Sequence, residues 1–254
     1  MQRTSHNIAI LAALCALLLA AVPAFADGAA TLTLAPAQID IGTTYNGMPL
    51  HVEGTIPAGC QAVIRFLGEP KDVHMKAKGK IFGLLWMNLD SLTFTDVPSV
   101  FLAQSSTEFG QLGAAGDSLG LDGLKASIGV HGGNEGAKSL IGDLLHMKRT
   151  EKLYRQTEGD VTLTPADGSQ TFAADIALPS RLAPGTYTVE VHAVCDGKVA
   201  ASARQEITAK LVGAPEFLAR MAFSQGLLYG VLAVIIALLS GLAIGLVFQS
   251  KGAH

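Results

Sequence analysis

The sequence predicts a mainly β protein, an immunoglobulin-like β-sandwich with a helical insertion, carried on one C-terminal transmembrane helix. Short runs of β-branched and aromatic residues alternate with turn residues on both sides of a glycine-rich middle. Hydrophobic residues make up 49% of the 254 residues and charged residues 15%, and the hydrophobic excess lies at the two ends. This distribution argues against an ordinary cytosolic enzyme. A net charge of −3 without a basic run argues against nucleic acid as a partner.

Residues 1–26 are typical of a cleaved signal peptide. An apolar stretch from Ile8 to Ala21 follows Arg3, and Ala24 and Ala26 form the A-x-A pattern of a cleavage site. We expect cleavage after Ala26. The alternative is a retained N-terminal anchor, although this apolar stretch is shorter than the roughly 20 residues that a membrane span needs.

The C-terminal end is predicted to span the membrane. The stretch from Gly226 to Phe248 carries no charge, and at about 1.5 Å rise per residue it reaches roughly 34 Å. We predict a transmembrane helix over 222–249, with a buried core helix as the alternative. With a cleaved signal peptide, this span places 27–221 in the bacterial periplasm and the tail, 250–254, in the cytoplasm. The predicted location is therefore the inner membrane, crossed once.

Small residues recur along this span at steps of three or four. Such a pattern leaves one helix face smooth, so that another helix can approach closely. The alternative is that glycine and alanine are simply common in membrane helices. The predicted helix-packing face consists of Gly226, Gly230, Ala233, Ala237, Gly241 and Gly245.

The predicted external domain contains two groups of strand-like runs, and together they fit roughly seven to nine strands of one sandwich. Asp196-Gly197, between two apolar runs, indicates a hairpin. We interpret 105–159 as an insertion because neither of its helix-like pieces could close a core of its own; an independent second domain is the alternative. The strand-like runs are Thr31–Leu34, Ile39–Ile41, Leu50–Glu53, Ala62–Leu67, Asp72–Lys76, Ser91–Phe94, Val161–Leu163, Thr171–Ile176, Thr186–Val194 and Val199–Ala209. The predicted helices of the insertion are Leu119–Ile128 and Leu140–Tyr154.

After signal cleavage two cysteines remain, Cys60 and Cys195, in a compartment that permits disulfides. A bridge between them is one interpretation, and two buried free thiols are the other. Cys60 begins a strand and Cys195 ends one. In a simple immunoglobulin arrangement the bridged strands run the same way, which would leave these two sulfurs at opposite ends of the sandwich.

Catalytic and metal motifs are weak in this sequence. The stretch Gly116–Gly120 contains Ser118 in a G-x-S-x-G pattern, but no buried strand precedes it, whereas an esterase needs the serine on a strand-to-helix turn. The histidines show no H-E-x-x-H and no close pairing, and C-x-x-C is absent. We therefore predict no catalytic residues, no metal, no cofactor and no enzymatic activity.

A local basic cluster lies beside an aromatic residue, and such a patch could bind a small anion or a partner loop. The alternative is a solvated strand edge whose lysines discourage aggregation. The candidate binding residues are Lys76, Lys78, Lys80, Trp86, Asn88 and Asp90.

The sequence resembles a family of uncharacterised transmembrane proteins of alphaproteobacteria. The resemblance runs from about Leu34 to Phe248 and is most specific in the segment from Trp86 through Asn88 to Asp90-Ser91, and in the span that opens at Gly226. Two residues, Leu84 and Leu85, separate Gly83 from Trp86, where the family has one. The resemblance implies that the protein is encoded beside a permease of the sulfite/anion exporter type, and hence that it is an accessory subunit of such a permease. A freestanding binding module for a small anion or envelope component is the alternative; the helix face also suits a homo-oligomer.

Overall fold

The computed structural model describes residues 30–81, 84–132 and 140–249. The predicted signal peptide, 1–26, and the predicted tail, 250–254, lie outside the described residues. Within them the chain forms thirteen strands and five α-helices, which confirms a mainly β protein. Ten of the strands coincide with the predicted runs, and the other three are short strands without an alternating pattern.

The strands, in chain order, are β1 (Thr33–Ala35), β2 (Gln38–Ile41), β3 (Pro49–Pro57), β4 (Gln61–Gly68), β5 (Pro70–Ile81), β6 (Leu85–Pro98), β7 (Phe101–Ser105), β8 (Gly129–His131), β9 (Tyr154–Glu158), β10 (Thr162–Ala166), β11 (Ser169–Ala177), β12 (Gly185–Cys195) and β13 (Lys198–Leu211). The helices are α1 (Gly113–Leu119), α2 (Leu121–Ser127), α3 (Leu140–Thr150), α4 (Ala214–Ser224) and α5 (Gly226–Gln249), with a 3-10 turn at Phe109–Leu112.

Two sheets enclose the first core. One has the order β1-β3-β11-β10, and the other has the order β2-β13-β12-β4-β7-β9. Alternating residues place the apolar faces inward, so that Val52 and Phe172 of the four-stranded sheet join the same buried cluster as Ile64, Phe66 and Val189 of the six-stranded sheet. The β2–β13 and β7–β9 pairs are parallel, and the other pairs in these two sheets are antiparallel.

A second core covers the outer face of the six-stranded sheet. Val63 and Phe101 of that sheet are buried together with Leu124 of α2, Leu144 of α3 and Phe94 of β6. The described helices within 105–159 close this core together with the sheet and form none of their own, as expected. Their apolar faces pack on the back of the sheet, which supplies the opposite wall.

The predicted insertion also contains a strand of the six-stranded sheet. The helix predicted over Leu140–Tyr154 ends at Thr150, and β9 begins at Tyr154 beside β7. Tyr154 is buried in the second core, where its hydroxyl donates to the carbonyl oxygen of Pro98 at 2.6 Å. Burial of this ring raises the pKa of Tyr154. The predicted helix Leu119–Ile128 corresponds to α2, Leu121–Ser127, and a further short helix, α1, precedes it and ends at Leu119.

The third sheet is a long hairpin with an added strand. Strands β5 and β6 pair along their length, from Pro70 opposite Pro98 to Ile81 opposite Leu85. Strand β8 pairs with β6 at Phe94. The base of the hairpin is held by the second core, since Leu92, Phe94 and Val97 are buried there.

A disulfide joins Cys60 to Cys195, with 4.6 Å between their Cα atoms. Strands β4 and β12 are antiparallel neighbours in one sheet, and Gln61 lies opposite Val194. The start of β4 and the end of β12 therefore meet at the same end of the sheet. The expectation that the two sulfurs lie at opposite ends was wrong, because it assumed bridged strands that run in the same direction.

Removal of this bridge should lower the free energy of unfolding by about 2–5 kcal/mol, because the bridge restricts an unfolded chain whose cysteines are 135 residues apart. Cys60→Ala, Cys195→Ala and the double variant should lose the same amount, since each removes one and the same bond. Denaturant unfolding of the intact protein in detergent measures the loss. Two titratable thiols in denatured, unreduced wild-type protein would contradict the bridge.

Candidate functional site

The backbone of the β5–β6 hairpin brings most of the predicted binding residues close together. Lys78 lies opposite Asn88 and Lys80 lies opposite Trp86, whereas Asp90 lies opposite Ala77, across a register shift. Lys76 and Lys80 are exposed. The side chains of the other four predicted binding residues lie outside the described part of the chain, namely Lys78, Trp86, Asn88 and Asp90.

Exposed apolar side chains next to these lysines were missed by the sequence analysis. Leu84 is 89% exposed and Leu85 is 60% exposed, and Met87 is also exposed. Large exposed apolar side chains at one place are typical of contact surfaces for a protein or a membrane. The available signal was the run Leu84-Leu85 between a glycine and Trp86, at the turn of two strand-like runs.

The predicted helix-packing face lies along α5. The spacing of its six small residues brings them to one side of the helix. A Cβ atom added at Gly226, Gly230, Gly241 or Gly245 would meet no atom within 4 Å of the described chain. This side of α5 is therefore open to close approach by another helix.

The Ser118 motif lies on a helix. The Ser118 hydroxyl donates to the carbonyl oxygen of Ala115 at 3.0 Å, one turn earlier in α1. Asp143 and His146, the nearest matches to a catalytic pair in sequence order, are exposed on α3. The motif therefore differs from a nucleophile elbow, in which the serine sits between a strand and a helix.

The histidines make separate local contacts. His51 Nδ1 lies 2.9 Å from an Asp175 carboxylate oxygen, and this hydrogen bond raises the pKa of His51. His74 Nδ1 lies 2.9 Å from the hydroxyl of Thr93. Among the described residues, no group of three or more His, Cys, Asp or Glu side chains is arranged to hold a metal ion.

Sequence analysis did not find a charged cluster on the outer face of the six-stranded sheet. The Arg65 Nη2 group donates to Glu190 Oε2 at 2.6 Å, and His192 Nε2 lies 3.2 Å from the same oxygen. All three side chains are mostly buried. Hydrogen bonds from His192 and then Arg65 lower the pKa of Glu190 to about 2. The cluster ties β4 to β12 beside the second core.

These features define a class of protein: a β-rich domain joined to one helix that is long and apolar enough to cross a membrane. The candidate span within α5, Gly226–Leu246, has a mean hydropathy of 2.6 and no buried part. The sequence matches the family described as "Putative transmembrane protein (Alph_Pro_TM)" over residues 30–250, and the chain belongs to this family. A search of curated proteins finds no match. The helix and the family together fit a single-pass membrane protein.

Glu190→Gln should lower the free energy of unfolding at pH 7 by roughly 2–3 kcal/mol, because it removes a paired, mostly buried carboxylate from Arg65. The folded-state pKa of Glu190 lies below its ordinary value of 4.5. The stabilisation is therefore complete above about pH 5 and is lost as the pH falls toward 2.

Unfolding measured between pH 2 and 7 checks this expectation, with Glu206→Gln as the control. Glu206 is exposed on the adjacent strand, β13, so its replacement should change stability by at most about 0.5 kcal/mol. A wild-type pH profile identical to that of Glu190→Gln would contradict the assignment.

Proposed function

We propose that this chain is a non-enzymatic, membrane-anchored periplasmic protein that acts as an accessory subunit of a permease, of the anion (sulfite-type) exporter class. The open small-residue side of α5 is the observation that carries the proposal. Small residues along one side of a membrane helix let another helix approach closely, which is the geometry of many helix–helix contacts in membranes. The anion-exporter class rests on the family resemblance.

Strand order supports an immunoglobulin-like assignment for the domain. The order β1-β3-β11-β10 corresponds to strands A-B-E-D, and β13-β12-β4-β7 corresponds to G-F-C-C′. The Tyr187 hydroxyl donates to the carbonyl oxygen of Ala183, four residues upstream, as in a tyrosine corner at the start of strand F. Domains of this type serve widely as binding modules at cell surfaces.

The proposed location is the periplasmic side of the inner membrane, with the C-terminus in the cytoplasm. The Cys60–Cys195 bridge supports it, since disulfides persist in the bacterial periplasm and are rare in the cytosol. The absence of activity is also part of the proposal. The helical setting of Ser118 and the exposure of Asp143 and His146 support it.

Gly241→Leu should reduce co-purification with a multi-span permease from mildly solubilised native membranes, and Gly230→Leu with Gly241→Leu should abolish it. A leucine side chain on this face would hold the two helices apart. Mass spectrometry of the affinity-purified full chain, after crosslinking in the membrane, identifies and quantifies the permease.

Ala243→Leu is the matched control, because Ala243 lies off the small-residue face and the added volume is similar. This variant should retain the permease, and all variants should stay in the membrane fraction. Equal recovery of a permease by wild type and the double variant would refute the role of the helix face. Recovery of no permease by wild type would refute the accessory role.

A freestanding binding module for a small anion or envelope component is the second candidate, and the exposure of Lys76 and Lys80 on one hairpin strand favours it. It predicts that sulfite, sulfate or an organosulfonate raises the unfolding temperature of the intact protein in detergent. Lys76→Gln with Lys80→Gln should remove the shift, while Lys210→Gln, an exposed lysine on β13, should not. An unchanged unfolding temperature with all three anions would count against this candidate.

A further inference from the structure

We propose that α4 is an interfacial helix, which buries Phe217 and Leu218 in the headgroup layer of the same bilayer that α5 crosses. This inference rests on the span in the proposed function and concerns a segment that the sequence analysis divided between the domain and the span. The structure separates the segment as a helix of its own, Ala214–Ser224, joined to α5 by Gln225.

The largest apolar side chains of α4 are exposed in the described chain, whereas Ala219, Met221 and Ala222 are partly covered. Phe217 is 54% exposed and Leu218 is 52% exposed, and the helix contains no buried residue. Phe223 is 91% exposed and lies on the Glu216 side of the helix, in the last turn before the joint to α5. Neither core of the domain includes a residue of α4. A surface of this kind is covered in the protein's working state by lipid or by another protein.

The joint at Gln225 fixes the depth of α4. Gln225 has φ −134° and ψ 49°, outside the helical region. Its own N–H donates to Met221 and its carbonyl oxygen accepts from Tyr229, but no backbone hydrogen bond joins the N–H groups of residues 226–228 to α4, so the ladder is interrupted beside Gln225. Interrupted backbone exposed to lipid does not occur within the hydrocarbon core, because its polar groups would lack hydrogen-bond partners. The joint therefore lies at the edge of the hydrocarbon core, and α5 begins at the next residue.

The charged residues of α4 keep this helix out of the hydrocarbon core. Glu216 and Arg220 stand one turn apart, with 4.0 Å between their charged groups. Charged side chains are costly in the hydrocarbon core, while Phe217 and Leu218 favour leaving water. The headgroup layer satisfies both requirements, as it does for interfacial helices in general. Since α4 carries one positive and one negative charge, this binding depends on apolar burial and needs no anionic lipid.

The placement of α4 also orients the domain. The β2–β13 ladder continues to Val212, whose N–H donates to the carbonyl oxygen of Ile41, and the first backbone hydrogen bond of α4 is accepted by Gly213. The end of the six-stranded sheet at Leu211 therefore lies beside the bilayer. Gly68 and the base of the β5–β6 hairpin are at this end, whereas the disulfide is at the other end.

Single-tryptophan reporters in the full chain test the inference. Trp86 is the only tryptophan, so Trp86→Phe provides the background. Leu218→Trp reports the apolar side of α4, and Glu216→Trp, on the opposite side of the same helix, is its matched control. Each protein is reconstituted in phosphatidylcholine vesicles, with brominated acyl chains as the lipid quencher and iodide as the aqueous quencher.

Two further reporters separate this inference from the proposed function. Leu239→Trp lies on α5, and Asp167→Trp lies at the exposed turn between β10 and β11. The span predicts that bromolipid quenches Leu239→Trp strongly, and that Asp167→Trp is quenched by iodide but not by bromolipid. Failure of bromolipid to quench Leu239→Trp would refute the span itself, whatever α4 does.

The interfacial position predicts that shallow bromines quench Leu218→Trp more than deep bromines do, with a blue-shifted emission and less iodide quenching than Glu216→Trp. Vesicles with added phosphatidylglycerol should give the same result. Equal iodide quenching at the two α4 positions would overturn the proposal. So would protection of Leu218→Trp from both quenchers, which indicates a protein cover, or bromolipid quenching that requires the anionic lipid.

Discussion

Burial of the six-stranded sheet on both faces is the constraint on which the rest of the structure depends. Strand β4 shows it most directly, because Ala62, Val63 and Ile64 are consecutive and all buried. Ala62 and Ile64 enter the first core, and Val63 enters the second. The helices and the hairpin base that cover the outer face are therefore held by the sheet, and the disulfide and the Arg65–Glu190–His192 cluster both tie β4 to its neighbour β12.

The sequence predicted those elements whose pattern is local. In β12, Tyr187, Val189, Val191 and Ala193 alternate with partly exposed residues, and α5 is uniformly apolar, so both were readily found. Strand β7 was missed because all of its residues are buried and no alternation remains. Strand β9 was missed because the sequence Tyr-Arg-Gln-Thr-Glu is polar, and its position depends on a parallel pairing with β7 that no local pattern reveals.

The same distinction between local patterns and long-range pairing applies to the candidate site. The small-residue face of α5 follows from helical periodicity alone, and the lysines of β5 follow from the alternation of a strand. Arg65 and Glu190 are 125 residues apart, and only the strand order brings them together. The cysteines illustrate the same limit, because their pairing required the knowledge that β4 and β12 are antiparallel neighbours. The amphipathic helix α4 was obscured by the longer apolar run that follows it.

Short joints link the domain to the membrane more tightly than a flexible linker would. One residue, Gly213, separates the hydrogen-bonded end of β13 from α4, and one residue, Gln225, separates α4 from α5. A flexible linker of many residues would allow the domain to sample a wide volume, whereas one-residue joints restrict it to few orientations. If α5 packs on a permease and the domain is periplasmic, as proposed, these joints hold the domain close to the periplasmic face of that permease. The base of the β5–β6 hairpin would then lie at the membrane surface, with Lys76, Lys80 and Leu84 further along it. Both the helix face and the exposed hairpin residues would in that case be available to one partner, and a contact at either site would raise the effective concentration at the other.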